Sequence, residues 1–259
     1  MKKFIIGISG FLVLNIYFNG TTHFLSNSVV QFICLLLFFP IASLIARLNG
    51  LPGLKGLGFF KDRNTLKHFF VSFGIGFSCW ALMYIIYWQI GKFHITGVKT
   101  GMDAFMTIVQ IMVGFFLGSL INDLITRGYI LNLLKGKLPS IVIAIISIII
   151  YSLDDFWNGD LTFTNFVFSI FLGCSLTYAF LKTGSVWADT GLHFGLNVAY
   201  GLIYGLSGEY GGGLILTEKG EINSILNNFV VLTAALMIFV PVYFYYRNKI
   251  SRSFPYSFK

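Results

Sequence analysis

The stretch AFMTIVQIMVGFFLGSLINDLITRGYILNLL, Ala104–Leu134, decides how this chain folds. It is apolar for longer than the roughly 20 residues that cross a bilayer, yet it carries Asn122, Asp123 and Arg127. Ionisable side chains at membrane depth are costly and persist where they line a cavity, pair with one another or do chemistry. Gln110, Gly114, Gly118 and Asn122 recur every four residues and share one helix face. Glycines at that spacing permit close approach by a neighbouring helix. Asp123 and Arg127 are also four apart, which suits a salt bridge that either serves a site or simply locks helices together.

Outward from this stretch the chain remains membrane-like. Hydrophobic residues make up 56%, charged residues 11%, and mean hydropathy is +0.79. A soluble domain carries roughly a quarter charged residues. Eight spans are predicted: Phe4–Phe18, Ser28–Leu48, His68–Ile90, Ala104–Leu134, Pro139–Leu153, Thr162–Leu181, Ser185–Leu206 and Ile225–Tyr246. The expected fold is therefore an all-α polytopic membrane bundle of about eight helices, forming a single integral membrane domain over 1–259. Met1-Lys2-Lys3 before an apolar run resembles a signal peptide, but no small-x-small cleavage site follows, so an uncleaved first span is expected.

The net charge of +8 does not call for a nucleic acid. With the amino terminus in the cytoplasm, 14 of the 18 basic residues fall on the cytoplasmic side, Lys92, Lys99 and Lys219 fall outside, and Arg127 is embedded. The positive-inside rule accounts for that asymmetry and predicts a multi-pass cell-membrane protein with both termini cytoplasmic, in contact with membrane lipids. Cys34, Cys79 and Cys174 lie dispersed within spans and are expected to pack, not to pair or bind metal.

Between the spans, Leu57–Lys67 mixes aromatic and basic residues and suits either an interfacial segment or a plain connection. The outer loop Ser207–Ser224 carries Gly211-Gly212-Gly213 and is expected to be flexible. Pro139 suits the start of a helix, and Pro241 should kink the last span.

The seventh span carries a second polar stripe, Asp189, His193, Asn197, Tyr200 and Tyr204, on one side of a helix. A lone buried His is usually a packing residue; one flanked a turn away by Asp and Asn points to a cavity. At 1.5 Å per residue, Asp123 and His193 lie roughly 18 and 17 Å from the cytoplasmic lysines, and Asp155 roughly 27 Å. A metal site on Asp123, Asp155 and His193 lacks an HExxH-like pair, and no phosphate-binding, dinucleotide or serine-hydrolase motif is present. No cofactor or metal is expected.

In order and setting these residues resemble the CPBP (Abi) family of CAAX-prenyl-endopeptidase-like, bacteriocin-processing intramembrane proteases, over roughly 104–205. Asn122-Asp123-Leu124-Ile125-Thr126-Arg127-Gly128 matches its Glu-Glu-x-x-x-Arg motif. Tyr151-Ser152-Leu153-Asp154-Asp155 matches Phe-x-x-x-His, and His193-Phe194-Gly195-Leu196-Asn197 matches His-x-x-x-Asn in full. The resemblance implies that the first Glu and the second-motif His activate water, while the third-motif His and Asn hold an oxyanion. Here Asn122 and Asp155 stand at the two water-activating positions. Two outcomes follow: chemistry rebuilt on Asp123 and Asp155 beside Arg127, His193 and Asn197, or a non-cleaving scaffold of the kind that confers bacteriocin immunity or regulates an envelope enzyme. Either way the expected partner is a peptide or membrane protein; the sequence leaves the oligomeric state open.

Overall fold

The computed structural model describes residues 2–154, 157 and 162–249. The eight expected spans appear as helical segments. α1 (Lys2–Phe24), α2 (Ser28–Leu48) and α3 (Thr65–Gln89) come first. α4 (Gly101–Asp123) then runs through one π-helical turn, Leu124–Tyr129, into α5 (Ile130–Leu134). α6 (Ser140–Asp154), α7 (Phe163–Thr183), α8 (Val186–Tyr204), α9 (Ser224–Met237) and α10 (Phe239–Tyr246) complete the bundle. Six of these segments are long and apolar enough to cross a membrane, with Gly101–Leu134 and Ser224–Tyr246 each counted as one. The short α6 and the polar-striped α8 are the two that are not among them.

The boundaries follow local chemistry. Asn27 Oδ1 accepts from the amides of Val29 and Val30 to start α2, and Thr162 Oγ1 accepts from Asn165 N to start α7. Gly184, at φ 69°, closes α7 in the left-handed conformation that other residues avoid. α6 begins directly after Pro139. The last span breaks at Ile238, because Pro241 has no N–H to give the carbonyl four residues earlier.

α3 and α8 make the closest helix pair, and glycine is the reason. A methyl on Gly76 would strike the Leu192 carbonyl oxygen, and methyls on Gly191 and Gly195 would strike those of Phe69 and Phe73. Backbones therefore touch along three successive turns, the small-residue packing expected where lipid supplies no hydrophobic drive. The glycines of α4 behave differently. An added Cβ at Gly114 would meet only the Leu206 side chain, and one at Gly118 would meet nothing within 4 Å. The close approach permitted there occurs instead between α3 and α8.

Two connections are more ordered than their composition suggests. Gly53–Leu57 is a 3-10 turn whose fully buried Leu57 packs against Gly128, while Gly58 O accepts from Val186 N at 3.1 Å. Phe59 lies 5.0 Å from Trp187, so this loop docks under the π-turn and the start of α8. In the loop over 207–224, β2 (Ile215–Lys219) pairs antiparallel with β1 (Phe93–Val98). Gly212 and Gly213 are held so closely that a Cβ would meet backbone oxygens, so the loop is a packed lid rather than a loose one.

Lys92 anchors that ribbon, donating to Asn227 Oδ1 at 2.6 Å over the Tyr87 ring, and burial pushes its pKa down to about 8. The unfolded chain then holds more protons between pH 8 and the ordinary lysine range, so this group's contribution to stability rises with pH across that window. Melting in detergent should show that rise for the wild type and a smaller one for Lys92→Met; identical slopes contradict it. Gly195→Ala should lower stability by about 1–3 kcal/mol through overpacking, whereas Gly118→Ala should leave the melting temperature unchanged.

Candidate functional site

α4 and α8 face one another through a polar ladder. On α4, Ser119, Asp123 and Arg127 are spaced by four residues, and on α8 so are Asn197, His193 and Asp189. The two stripes run antiparallel and pair rung by rung. Asn197 Nδ2 donates to Ser119 Oγ at 3.0 Å, His193 Nδ1 lies 3.0 Å from Asp123 Oδ1, and Arg127 Nε donates to Asp189 Oδ2 at 3.0 Å. Arg127 Nη2 also donates to Asp123 Oδ1, so one guanidinium ties the lower two rungs together. Apolar contacts flank the ladder: Phe115 meets Tyr200 at 6.0 Å beyond the outermost rung, and Phe116 meets Phe194 at 5.5 Å beside it.

Burial is nearly complete. The Asp123, Arg127 and Asp189 side chains are 0% exposed, while His193 retains 12%. Separating charges from water inside a bilayer is tolerable only when each has a partner. The π-turn lies under this arrangement. Arg127 sits within it, and such bulges re-aim side chains at functional sites. α6 covers the ladder: the Tyr151 ring lies 4.7 Å from the Arg127 guanidinium and edge-on to His193 at 6.0 Å. Ser147 Oγ donates to Thr126 O at 2.7 Å and holds α6 to the π-turn.

The chemistry of the middle rung follows from donor rules. A carboxylate paired with arginine only accepts, so His193 Nδ1 carries the hydrogen and donates. In the neutral ring Nε2 then carries the lone pair, and His193 is the one of those four side chains that is not fully buried.

A second cluster adjoins the first. Asp154, at the end of α6 and 7% exposed, accepts through Oδ2 from Asn122 Nδ2 at 2.7 Å. Its Oδ1 accepts from Asn19 Nδ2 at 3.1 Å and from Asn15 Nδ2. Three amides from α1 and α4 therefore surround one carboxylate.

Of the residues expected at the site, Asp123, Arg127, His193 and Asn197 come together on the ladder, and Asn122 turns to Asp154 instead. Asp155 lies outside the described residues. Sequence reasoning missed Ser119, Asn15 and Asn19, and it quoted Tyr151 and Asp154 within the second motif without giving them a place at the site. For Asn15 and Asn19 a signal existed: asparagines four apart in a span otherwise rich in apolar residues. Among the described residues no three His, Cys, Asp or Glu side chains converge as metal ligands.

A helical membrane bundle with a buried Asp–Arg–Asp–His ladder between two helices is the class of protein so defined. Residues 104–199, which hold α4, α6, α7 and most of α8, match the family model described as type II CAAX prenyl endopeptidase Rce1-like. Over this segment, which is less than half of the chain, the protein is similar to CAAX-protease-like membrane proteins. A comparison with curated proteins gives no match.

Removing Arg127 leaves two buried carboxylates facing each other without compensation. Arg127→Met should therefore cost about 3–5 kcal/mol and prevent a sharp melting transition, and the double variant Arg127→Met/Asp189→Leu should recover part of the loss. If the single variant melts like the wild type, the ladder is not a determinant of the fold.

Proposed function

We propose that this protein is an intramembrane endopeptidase-like hydrolase acting on peptide or membrane-protein segments, with its water-activating step carried by His193. The observation that supports this most is the Asp123–His193 hydrogen bond. It fixes the imidazole with Nε2 free to accept a proton, the role an oriented histidine plays in acyl-transfer sites. Water gives a proton to Nε2 as its oxygen attacks the scissile carbonyl. The second amide hydrogen of Asn197 and the hydroxyl of Ser119 are donors for the developing oxyanion. The proton on Nε2 then passes to the departing amine. This assignment differs from the Asp123–Asp155 dyad expected from sequence, because Asp123 already accepts from both Arg127 and His193.

A second reading is a non-cleaving scaffold, for bacteriocin immunity or envelope regulation. It is favoured by Asn122, which occupies the family's first glutamate position and donates to Asp154 instead of acting as a base. In both readings the protein sits in the cell membrane with both termini cytoplasmic, as the 14-to-3 distribution of basic residues suggests.

The experiment is cleavage of fluorogenic peptides by purified protein in lipid nanodiscs. Wild type should cleave, and His193→Gln should reduce kcat at least about 100-fold, the usual worth of a positioned base, with an unchanged melting temperature. Peptide binding without cleavage by the wild type supports the scaffold, and full activity in His193→Gln removes the proposed base.

A further inference from the structure

The Asp154 cluster holds a group that the mechanism above does not use. A carboxylate offers acceptors, so Asn122 must present its NH2 to Asp154 and turn its carbonyl oxygen elsewhere. That oxygen, Asn122 Oδ1, is buried and meets no donor. An orphaned acceptor at this depth is expensive, and the structure keeps it oriented with some care. Asp154 is itself held by Asn15 and Asn19, so α1 and α6 together set the angle of one amide on α4.

The space beside this amide is also unusual. Gly118 precedes Asn122 by one helical turn on the same face, and no heavy atom lies within 4 Å of where its Cβ would be. The α4 face therefore leaves open space at Gly118, one helical turn from a fixed and enclosed acceptor. An extended peptide at membrane depth has the complementary need. Its backbone N–H groups have lost water and must find acceptors in the protein.

We infer that Asp154 is a positioning residue that turns the Asn122 carbonyl toward the open space at Gly118, where it accepts a hydrogen bond from a backbone N–H of the bound peptide. The inference rests on the peptide-processing reading above and adds a substrate-orienting contact to it. Asn122 thus serves as an acceptor of fixed direction, a role that neither a base nor a freely rotating amide fills. Asn15 and Asn19 extend the site to the first span.

The test is peptide binding, read separately from cleavage. The probe is a fluorescein-labelled peptide ending in a farnesylated Cys-aliphatic-aliphatic-Met box, together with a set of copies each N-methylated at one backbone nitrogen. Binding to protein in nanodiscs is followed by fluorescence anisotropy. For the wild type, one N-methyl position should weaken binding about tenfold, which is the loss of about one hydrogen bond. In Asn122→Leu and in Asp154→Asn the unmethylated peptide should bind about tenfold more weakly, and the same N-methyl position should then cost nothing further. Gly118→Leu should block binding while melting like the wild type, since the added side chain enters open space.

Variants that melt at least 10 °C below the wild type are replaced by the milder Asn122→Ser and Asp154→Glu, with the same pattern expected. An N-methyl penalty of equal size in wild type and variants overturns the inference, as does normal binding to Gly118→Leu. Absence of binding of this peptide by the wild type overturns this inference, while the cleavage assay above still tests the hydrolytic reading. Binding without cleavage, with the pattern intact, removes the hydrolytic reading alone.

Discussion

The arginine buried between two aspartates is the constraint on which the remaining structure depends. Arg127 is fully buried, and a guanidinium in hydrocarbon without partners costs far more than a domain's whole stability margin. Asp123 on its own helix and Asp189 on α8 neutralise it, and they do so in only one register of the two helices. Sliding α8 by one turn would leave a charge unpaired. The register that satisfies Arg127 also brings His193 to Asp123 and Asn197 to Ser119. A structural ion triad thus sets the geometry of the groups capable of chemistry.

Around this ladder the fold divides its work. The glycines of α3 and α8 let backbones touch, which fixes α8 from behind without any polar group. The π-turn rotates Arg127 inward, and the docked 53–57 turn fills the space beneath it. α6 closes the other side with Tyr151 over the guanidinium. The β-ribbon ties two loops more than 100 residues apart and leaves the ladder untouched. The polar ladder therefore lies between two helices, away from the ribbon.

Much of this was legible in the sequence, for physical reasons. Hydropathy located the helical segments, six of which are long and apolar enough to cross a membrane, because a bilayer imposes length and composition on any helix that crosses it. The four-residue spacing of Asp123 with Arg127, and of Asp189, His193 and Asn197, identified both stripes of the ladder. Their mutual register was not legible: it depends on tertiary packing, and so Ser119 went unnoticed beside apolar neighbours. Motif spacing drew attention to Asp155, which lies outside the described residues, whereas the carboxylate found beside Asn122 is its chain neighbour Asp154. The β-ribbon escaped because its strands are short and its partners are distant. The spacing of Gly114 and Gly118 permitted close approach, but glycine does not specify which helix makes it, and the backbones meet at Gly76, Gly191 and Gly195.

The measurement that reaches the central claim most directly is cross-linking of the ladder's outer rung in native membranes. In a background lacking Cys34, Cys79 and Cys174, the pair Ser119→Cys/Asn197→Cys should form a disulfide on mild oxidation, because these side chains already meet at 3.0 Å. A control pair one turn out of register, Ser119→Cys/Gly201→Cys, should not. Efficient cross-linking of 119 with 197 alone is the predicted result. Equal cross-linking of both pairs, or of the shifted pair only, would contradict the register and with it the ladder.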